Sequence, residues 1–200
     1  MSAPIFKADA LFAQRLWAAA GLYHGKLDGS WGPLTQAASD QADALFAKAK
    51  SDLGTFDPRS EGIIATLLPK AQRAARQFMN VAKTMPFTVK LLSGTRSYAE
   101  QDRLFNQVPR VTKARGGSSN HNFGIAWDCG IFVNGLYYEG RNSKEDRAYA
   151  DLAKAVKSAI SGIEWGGDWV SFKDMPHYQL ATGKSVSQCR MLLEAGRPYC

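Results

Sequence analysis

The chain has 200 residues, 45% of them hydrophobic, which is enough for one packed domain or for a domain with a small additional module. No run approaches the roughly 18 to 20 apolar residues that cross a bilayer, and the first residues lack the pattern of a secretory signal, so we expect a soluble protein without one. The net charge of +7 falls on residues 55–200, because residues 1–54 carry five basic and five acidic side chains. This charge favours an anionic partner but does not distinguish nucleic acid, cell wall and membrane.

Residues 1–54 are predicted to form a small helical module. Phe12 and Leu16 fall on one face of a first helix that ends at Gly21, and a second helix starts at Pro33, a residue suited to the first helical position. The loop between them contains the glycine-rich pattern G-x-Y-x-G-x-x-D-G-x-x-G-P-x-T. On the residues alone, this is also compatible with a generic helix-turn-helix hairpin.

The loop pattern and its flanking helices resemble the small helical peptidoglycan-binding module over about residues 8–50. The resemblance implies that this segment binds the bacterial cell wall. The residues it implicates are Tyr23, Asp28, Gly29 and Trp31.

Residues 55–200 are predicted to form a second domain of α+β class, with helices packed on a small antiparallel sheet. The boundary is placed at the Gly54–Pro58 stretch, where glycine and proline interrupt the helical pattern. The predicted elements are a helix over 60–83 that kinks or restarts at Pro69, a strand over 87–92, a helix from the N-cap Ser97 to Asn106, a strand over 125–133, a hairpin at Asn134–Gly135, a helix capped by Ser143 that runs to Ile160, and a strand over His177–Leu180.

The three cysteines, Cys129, Cys189 and Cys200, show neither an even number nor a Cys-x-x-Cys spacing. This argues against a disulfide framework and against a cysteine-based zinc site, so reduced thiols are expected. A bond between Cys189 and Cys200 stays open, because their separation in space is not fixed by the sequence.

Two of the three histidines lie in segments suited to metal binding. In the strand after His121, alternation turns Asp128 away from the apolar face of Trp127, where a charged carboxylate needs a partner or a metal. Asp174 precedes His177 by three residues, so a turn is needed if both face one site. Catalytic zinc sites use three nitrogen or oxygen ligands and a separate carboxylate base, and these four residues supply that set, although an ordinary His–Asp hydrogen bond also fits the first segment.

Four motifs together resemble the zinc peptidases of the VanY and endolysin type: S-x-H-x-x-G-x-A-x-D, W-G-G-D-W, D-x-P-H-x-Q and the upstream G-x-R-S-x-x-E-Q. The resemblance spans about residues 58–182 and implies one zinc ion per chain on His121, Asp128 and His177. It further implies that Asp174 is the general base and that Arg96 stabilises the oxyanion. Substrate contacts are expected from Ser119, Tyr98, Trp165, Trp169 and Gln179, with a core role as the alternative for the two tryptophans.

The function expected from these resemblances is that of a monomeric phage endolysin, which cuts the L-Ala-D-Glu bond of peptidoglycan stem peptides. It would be made in the host cytoplasm and act in the periplasm after the membrane is permeabilised. Cleavage at D-Ala-D-Ala by a carboxypeptidase or dipeptidase is the closest alternative. A non-catalytic wall-binding protein and a basic nuclease are more distant ones, and no nucleic acid is expected as partner.

Overall fold

The computed structural model describes residues 6–109, 111–140 and 142–200, in which helices surround one antiparallel sheet. This confirms the predicted α+β class. Two short 3-10 turns, Asn120–Phe123 and Gly166–Asp168, flank the sheet. The other elements are α1 (Lys7–Ala19), α2 (Pro33–Leu53), α3 (Pro58–Ala65), α4 (Pro69–Ala82), β1 (Thr88–Ser93), α5 (Tyr98–Asn106), β2 (Ala126–Val133), β3 (Leu136–Tyr138), α6 (Ser143–Ala159), β4 (Ile163–Trp165), β5 (His177–Leu180) and α7 (Val186–Glu194).

The sheet separates an apolar face from a polar one. Its strands are ordered β1-β2-β5-β4, with β3 paired to β2 at one end. On the apolar face Trp127 of β2 stacks on Tyr178 of β5, and Phe78 of α4 packs against both rings. The neighbouring residues Asp128 and His177 point to the opposite face because strand side chains alternate. The core therefore sits between the sheet and α4, which leaves the other face for polar groups.

Proline and turn chemistry explain several element boundaries. The helix predicted over 60–83 restarts at Pro69, and Pro58 and Pro69 each occupy the start of a helix, where their missing N–H costs nothing. Asn134 and Gly135 both have positive φ, as a two-residue hairpin requires, which confirms that turn. The N-cap of α6 lies one residue earlier than predicted. Asn142 accepts the backbone N–H bonds, and Ser143 is already helical.

The N-terminal helices pack on the rest of the chain. Phe12 and Leu16 of α1 and Phe46 of α2 contact the core that fills the space under the sheet, and Ala19 is buried in it. A second, smaller cluster centres on Ala18, Tyr23 and Ala38. The two predicted helices are confirmed; the division into two domains at residue 54 stays a prediction.

Two further expectations concern thiols and membranes. Cys129, Cys189 and Cys200 are all free in the structure, and the reduced state of their thiols stays a prediction. Among the described residues, no helix combines the length and the apolar character needed to cross a bilayer.

Candidate active site

Strand register brings two predicted ligands together on the polar face. Asp128 of β2 lies opposite His177 of β5 and, on its other side, opposite Ser93 of β1. The register of β1 shifts between Leu91 and Ser93. An extra residue in one strand re-aims the next side chain. The shift therefore places Ser93 beside Asp128 while Leu91 stays in the core.

The third predicted ligand, His121, reaches the sheet from the 3-10 turn. The hydroxyl of Ser119 caps this turn by accepting a bond from the His121 backbone N–H, and Gly124 ends it with a φ of 67°. The Asn122 side chain donates to the Arg96 carbonyl, which ties the turn to the segment before α5. The chain therefore folds His121 back towards Asp128.

The three ligand atoms converge on one point. His121 Nε2 lies 3.1 Å from Asp128 Oδ1 and 3.2 Å from His177 Nδ1, and the last two atoms are 3.2 Å apart. Both histidines are buried, and no other group of three metal-binding side chains was found among the described residues. Two imidazoles and a carboxylate are a common donor set for zinc.

Hydrogen bonds outside the cluster prepare each ring for a metal. His121 Nδ1 lies 2.7 Å from the Gly94 carbonyl, and His177 Nε2 lies 2.9 Å from Gln179 Oε1. Both partners are acceptors, so the outer nitrogen of each ring holds the proton and the inner nitrogen presents its lone pair. The residues present therefore fit a bound zinc ion.

The charges of the cluster also favour a cation. Burial alone would raise the pKa of Asp128, but His121 and His177 outweigh it and hold that pKa well below its ordinary value. Burial alone would lower the pKa of His177, but the Asp128 carboxylate outweighs this effect and raises it. An ionised carboxylate thus stabilises positive charge at this point.

Asp174, the predicted base, lies beside the cluster without belonging to it. A turn at Met175–Pro176 follows it, and the His177 N–H donates to the Asp174 carbonyl, so the turn required by their spacing is present. Burial raises the pKa of Asp174, and the negative charge of Asp128 raises it further. A carboxyl group with a raised pKa is suited to accept and return a proton.

Arg96 is fixed in the site by three partners. Its guanidinium donates to the hydroxyl of Ser93, to Oδ2 of Asp128 at 2.9 Å and to Oε1 of Gln101. It lines the same cleft as Asp174. A firmly held cation therefore lies in the same cleft as the cluster, and its role as an oxyanion partner stays a prediction.

A cleft of about 760 Å³ opens over the cluster and contains only some of the predicted substrate contacts. Ser119, Trp169 and Gln179 line it, but the Gln179 amide is engaged by His177 and is 8% exposed. Trp165 does not line it, because its ring is buried and its indole N–H donates to the Met175 carbonyl. Tyr98 does not line it either.

The Tyr98 hydroxyl bonds Glu194 and its ring packs edge-on against Phe12, so this residue joins α5 to α1 and α7. Tyr98 is therefore part of the scaffold. It joins helices and is not among the residues that line the cleft.

The residues implicated in wall binding have mostly structural surroundings. Tyr23 is buried and donates to the Lys26 carbonyl. Asp28 accepts from the Ser30 N–H and from the buried Gln14 amide, which the sequence analysis missed. A side chain at Gly29 would lie 2.6 Å from the Lys7 carbonyl.

Trp31 is the exception among the four. It is 37% exposed and stands edge-on to Trp17 at 5.5 Å between ring centroids. Of the four implicated residues, Trp31 is thus the one that offers an exposed ring to a ligand.

Sequence reasoning also missed residues of the cleft itself. Lys113, Phe172 and Lys184 line it, and the Lys113 ammonium lies 4.6 Å from the centre of the Phe172 ring. These residues come from irregular loops, where no periodic pattern marks them. Ser93, which holds Arg96 without lining the cleft, could have been noticed because it directly precedes the G-x-R-S motif.

Comparisons of sequence and structure show which known proteins this chain is similar to. The family model described as D-alanyl-D-alanine carboxypeptidase matches residues 112–180. Peptidoglycan L-alanyl-D-glutamate endopeptidase CwlK of Bacillus subtilis (strain 168) is 35% identical over 126 residues, which cover 57% of this chain and 73% of that protein. The crystal structure of Serratia marcescens L-Ala D-Glu endopeptidase ChiX shows 29% sequence identity and a TM-score of 0.48, covering 62% of this chain and 88% of that chain.

A His-Asp-His cluster at the polar face of an antiparallel sheet, with a separate aspartate beside it, is the arrangement of a metallopeptidase site. The extent and identity of the match with CwlK then show that the chain belongs to the D-alanyl-D-alanine carboxypeptidase family of peptidases. The resemblance found in the sequence motifs is confirmed at the level of the family.

Proposed function

We propose that this chain is a zinc peptidase that hydrolyses the L-Ala-D-Glu bond of peptidoglycan stem peptides. The main supporting observation is the convergence of His121 Nε2, Asp128 Oδ1 and His177 Nδ1 on one point beside Asp174. The similarity to CwlK, whose name states this activity, supports the choice of bond.

The residues of the cleft divide the hydrolysis among them. His121, Asp128 and His177 would hold the zinc ion, which would supply Lewis-acid chemistry for the scissile carbonyl and the attacking water. Asp174 takes a proton from the attacking water and returns it to the leaving amine, as its raised pKa suits. Arg96, held by Ser93 and Asp128, donates to the oxygen on which negative charge develops.

A D-Ala-D-Ala carboxypeptidase or dipeptidase is the second candidate. The description of the matching family model favours it. The ligands and the base would serve either reaction, because both hydrolyse an amide bond. The residues that distinguish them lie around the cleft and not at the metal.

We propose further that the protein acts as a lytic enzyme of a phage, monomeric and without a nucleic-acid partner, which reaches the wall after the membrane is permeabilised. The resemblance of residues 8–50 to a wall-binding module supports this, with Trp31 as the exposed contact. Binding to an insoluble polymer would raise the local enzyme concentration without changing the chemistry.

Digestion of purified peptidoglycan tests the proposal, with the new amino termini identified. We expect amino-terminal D-glutamate to appear, and to be lost when zinc is removed by a chelator and regained when zinc is returned. Release of free D-alanine without new D-glutamate termini would favour the second candidate. If the zinc-loaded protein yields neither product, the endopeptidase and the carboxypeptidase are both refuted.

A further inference from the structure

We propose that Glu164 is a positioning residue that acts through Gln179 to fix the ring of His177 for metal binding. The inference rests on the proposed zinc site and assigns a role to an exposed residue of β4 that is not itself a ligand. Glu164 does not line the cleft, so its effect on the site must pass through another side chain.

The strand register brings the two residues together. Gln179 of β5 lies opposite Glu164 of β4 on one side and opposite Ala126 of β2 on the other. His177 is two residues before Gln179, and side chains two apart in a strand share a face. The polar face therefore presents a row from Glu164 through Gln179 to His177.

The hydrogen bonds along this row have one consistent direction. Gln179 Nε2 donates to Glu164 Oε2 at 2.7 Å. Its Oε1 lies 2.6 Å from the donating Asn120 amide nitrogen and 2.9 Å from His177 Nε2. His177 then keeps its proton on Nε2 and turns Nδ1 towards Asp128 and His121.

The carboxylate sets this direction because it can only accept. If the Gln179 amide flipped, its oxygen would face the Glu164 carboxylate and its NH₂ group would face the donor of Asn120. If the side chain at position 164 has no acceptor, the repulsion between the amide oxygen and the carboxylate no longer opposes the flip. The amide and the His177 tautomer would then be less firmly selected.

The decisive variant is Glu164→Ala. Glu164→Gln is the conservative variant, because it restores an acceptor. Asp151→Ala, which removes an exposed acid of α6, is the matched control. Zinc affinity is measured by competition with a chelator. The tautomer of His177 is measured by long-range nitrogen–proton NMR on the metal-free protein, where only three histidines contribute.

For Glu164→Ala we expect zinc to bind about 10- to 100-fold more weakly, as is usual when a group that orients a metal ligand is lost. We also expect the Nδ1-protonated tautomer of His177 to appear. Glu164→Gln should recover most of the affinity, and Asp151→Ala should match the unmodified protein. Unchanged zinc affinity and an unchanged tautomer in Glu164→Ala would overturn the inference. So would a loss of thermal stability without any change of tautomer.

The two proposals fail separately in this design. If the unmodified protein binds no zinc, the proposed function fails, and the tautomer in the metal-free protein still tests whether Glu164 orients His177. If zinc binds and the peptidase is active but Glu164→Ala behaves like Asp151→Ala, only the positioning role is lost.

Discussion

Asp128 and Asp174 are two carboxylates in one cleft whose surroundings shift their pKa values in opposite directions. The neighbouring histidines hold Asp128 ionised, as a metal ligand must be, whereas burial and the charge of Asp128 raise the pKa of Asp174. Groups pushed apart in this way take different roles in acid–base catalysis. We therefore expect the environment, and not the residue type, to assign Asp128 to the metal and Asp174 to proton transfer.

Asp174→Asn tests this assignment. We expect kcat to fall by about 10²- to 10⁴-fold because the proton acceptor is lost, while one zinc per chain and the fold are retained. The measurements are hydrolysis of peptidoglycan and metal content. Asp168→Asn, which alters an exposed acid paired with Lys157, should leave kcat unchanged. Loss of zinc from Asp174→Asn would show that Asp174 is a ligand instead.

At the scale of elements, a close backbone approach connects the 3-10 turn Gly166–Asp168 with the turn that carries Asp174. The Asp174 N–H donates to the Gly166 carbonyl, and a Cβ built at Gly166 would lie 2.5 Å from the Asp174 carbonyl oxygen and 3.0 Å from His177 Cβ. The first glycine of the W-G-G-D-W motif therefore supports the turn that carries Asp174, the proposed base. Of the two tryptophans in the motif, Trp169 lines the cleft and Trp165 does not.

Gly166→Ala should consequently displace Asp174 and His177. We expect a loss of about 1–3 kcal/mol in unfolding free energy, as for other overpacked sites, together with weaker zinc binding and a lower kcat. Gly62→Ala is the control, because that glycine lies in α3 with no atom within 4 Å of an added Cβ, and alanine should stabilise the helix. Full activity with normal stability in Gly166→Ala would show that this approach is not needed.

What the sequence predicts well at this scale is local. The strand over 125–133, the Asn134–Gly135 hairpin and the capping box at Ser97 depend on neighbours in the chain, and all three are present. The sequence did not predict the strand β4 or the helix α7. β4 has only three residues, which are too few to show a periodic pattern, and the glycines around it favoured a loop.

The site itself was predictable only in part. The family's motifs grouped His121, Asp128 and His177. Asp128 and His177 lie 49 positions apart along the chain and meet only through strand register, which the sequence alone does not show. The same dependence on tertiary contacts explains why Trp165 and Tyr98 were expected in the cleft. The contacts of Trp165 with Met175 and of Tyr98 with Phe12 have no local signature in the sequence.

At the scale of the whole molecule, Arg76 joins the N-terminal helices to the body that carries the site. Its guanidinium is fully buried, makes a two-pronged bond with Glu61 of α3, donates to the Gly54 carbonyl and lies over the ring of Phe46. Residues on both sides of the predicted boundary thus share one buried cation. The helical segment and the catalytic part are held in a fixed relation at this point.

Removing the acid that neutralises this cation should destabilise the whole protein. Breaking a buried pair costs about 3–5 kcal/mol, so Glu61→Gln should lower the unfolding free energy by that order in urea titrations at neutral pH. Asp52→Asn, which breaks an exposed pair with Arg73, should cost far less. Equal losses in the two variants would show that the buried Arg76 is satisfied without Glu61.

The pH dependence of this stability has a definite sign. Burial alone would raise the pKa of Glu61, but the bonds from Arg76 and the Phe56 N–H outweigh it, so the folded-state pKa lies below the ordinary 4.5. Glu61 therefore contributes stability above pH 4.5, and the contribution is lost as the pH falls through the lower folded value. The difference in unfolding free energy between the unmodified protein and Glu61→Gln should be constant near neutrality and shrink on acidification. A difference that grows as the pH falls would contradict the ion pair as its source.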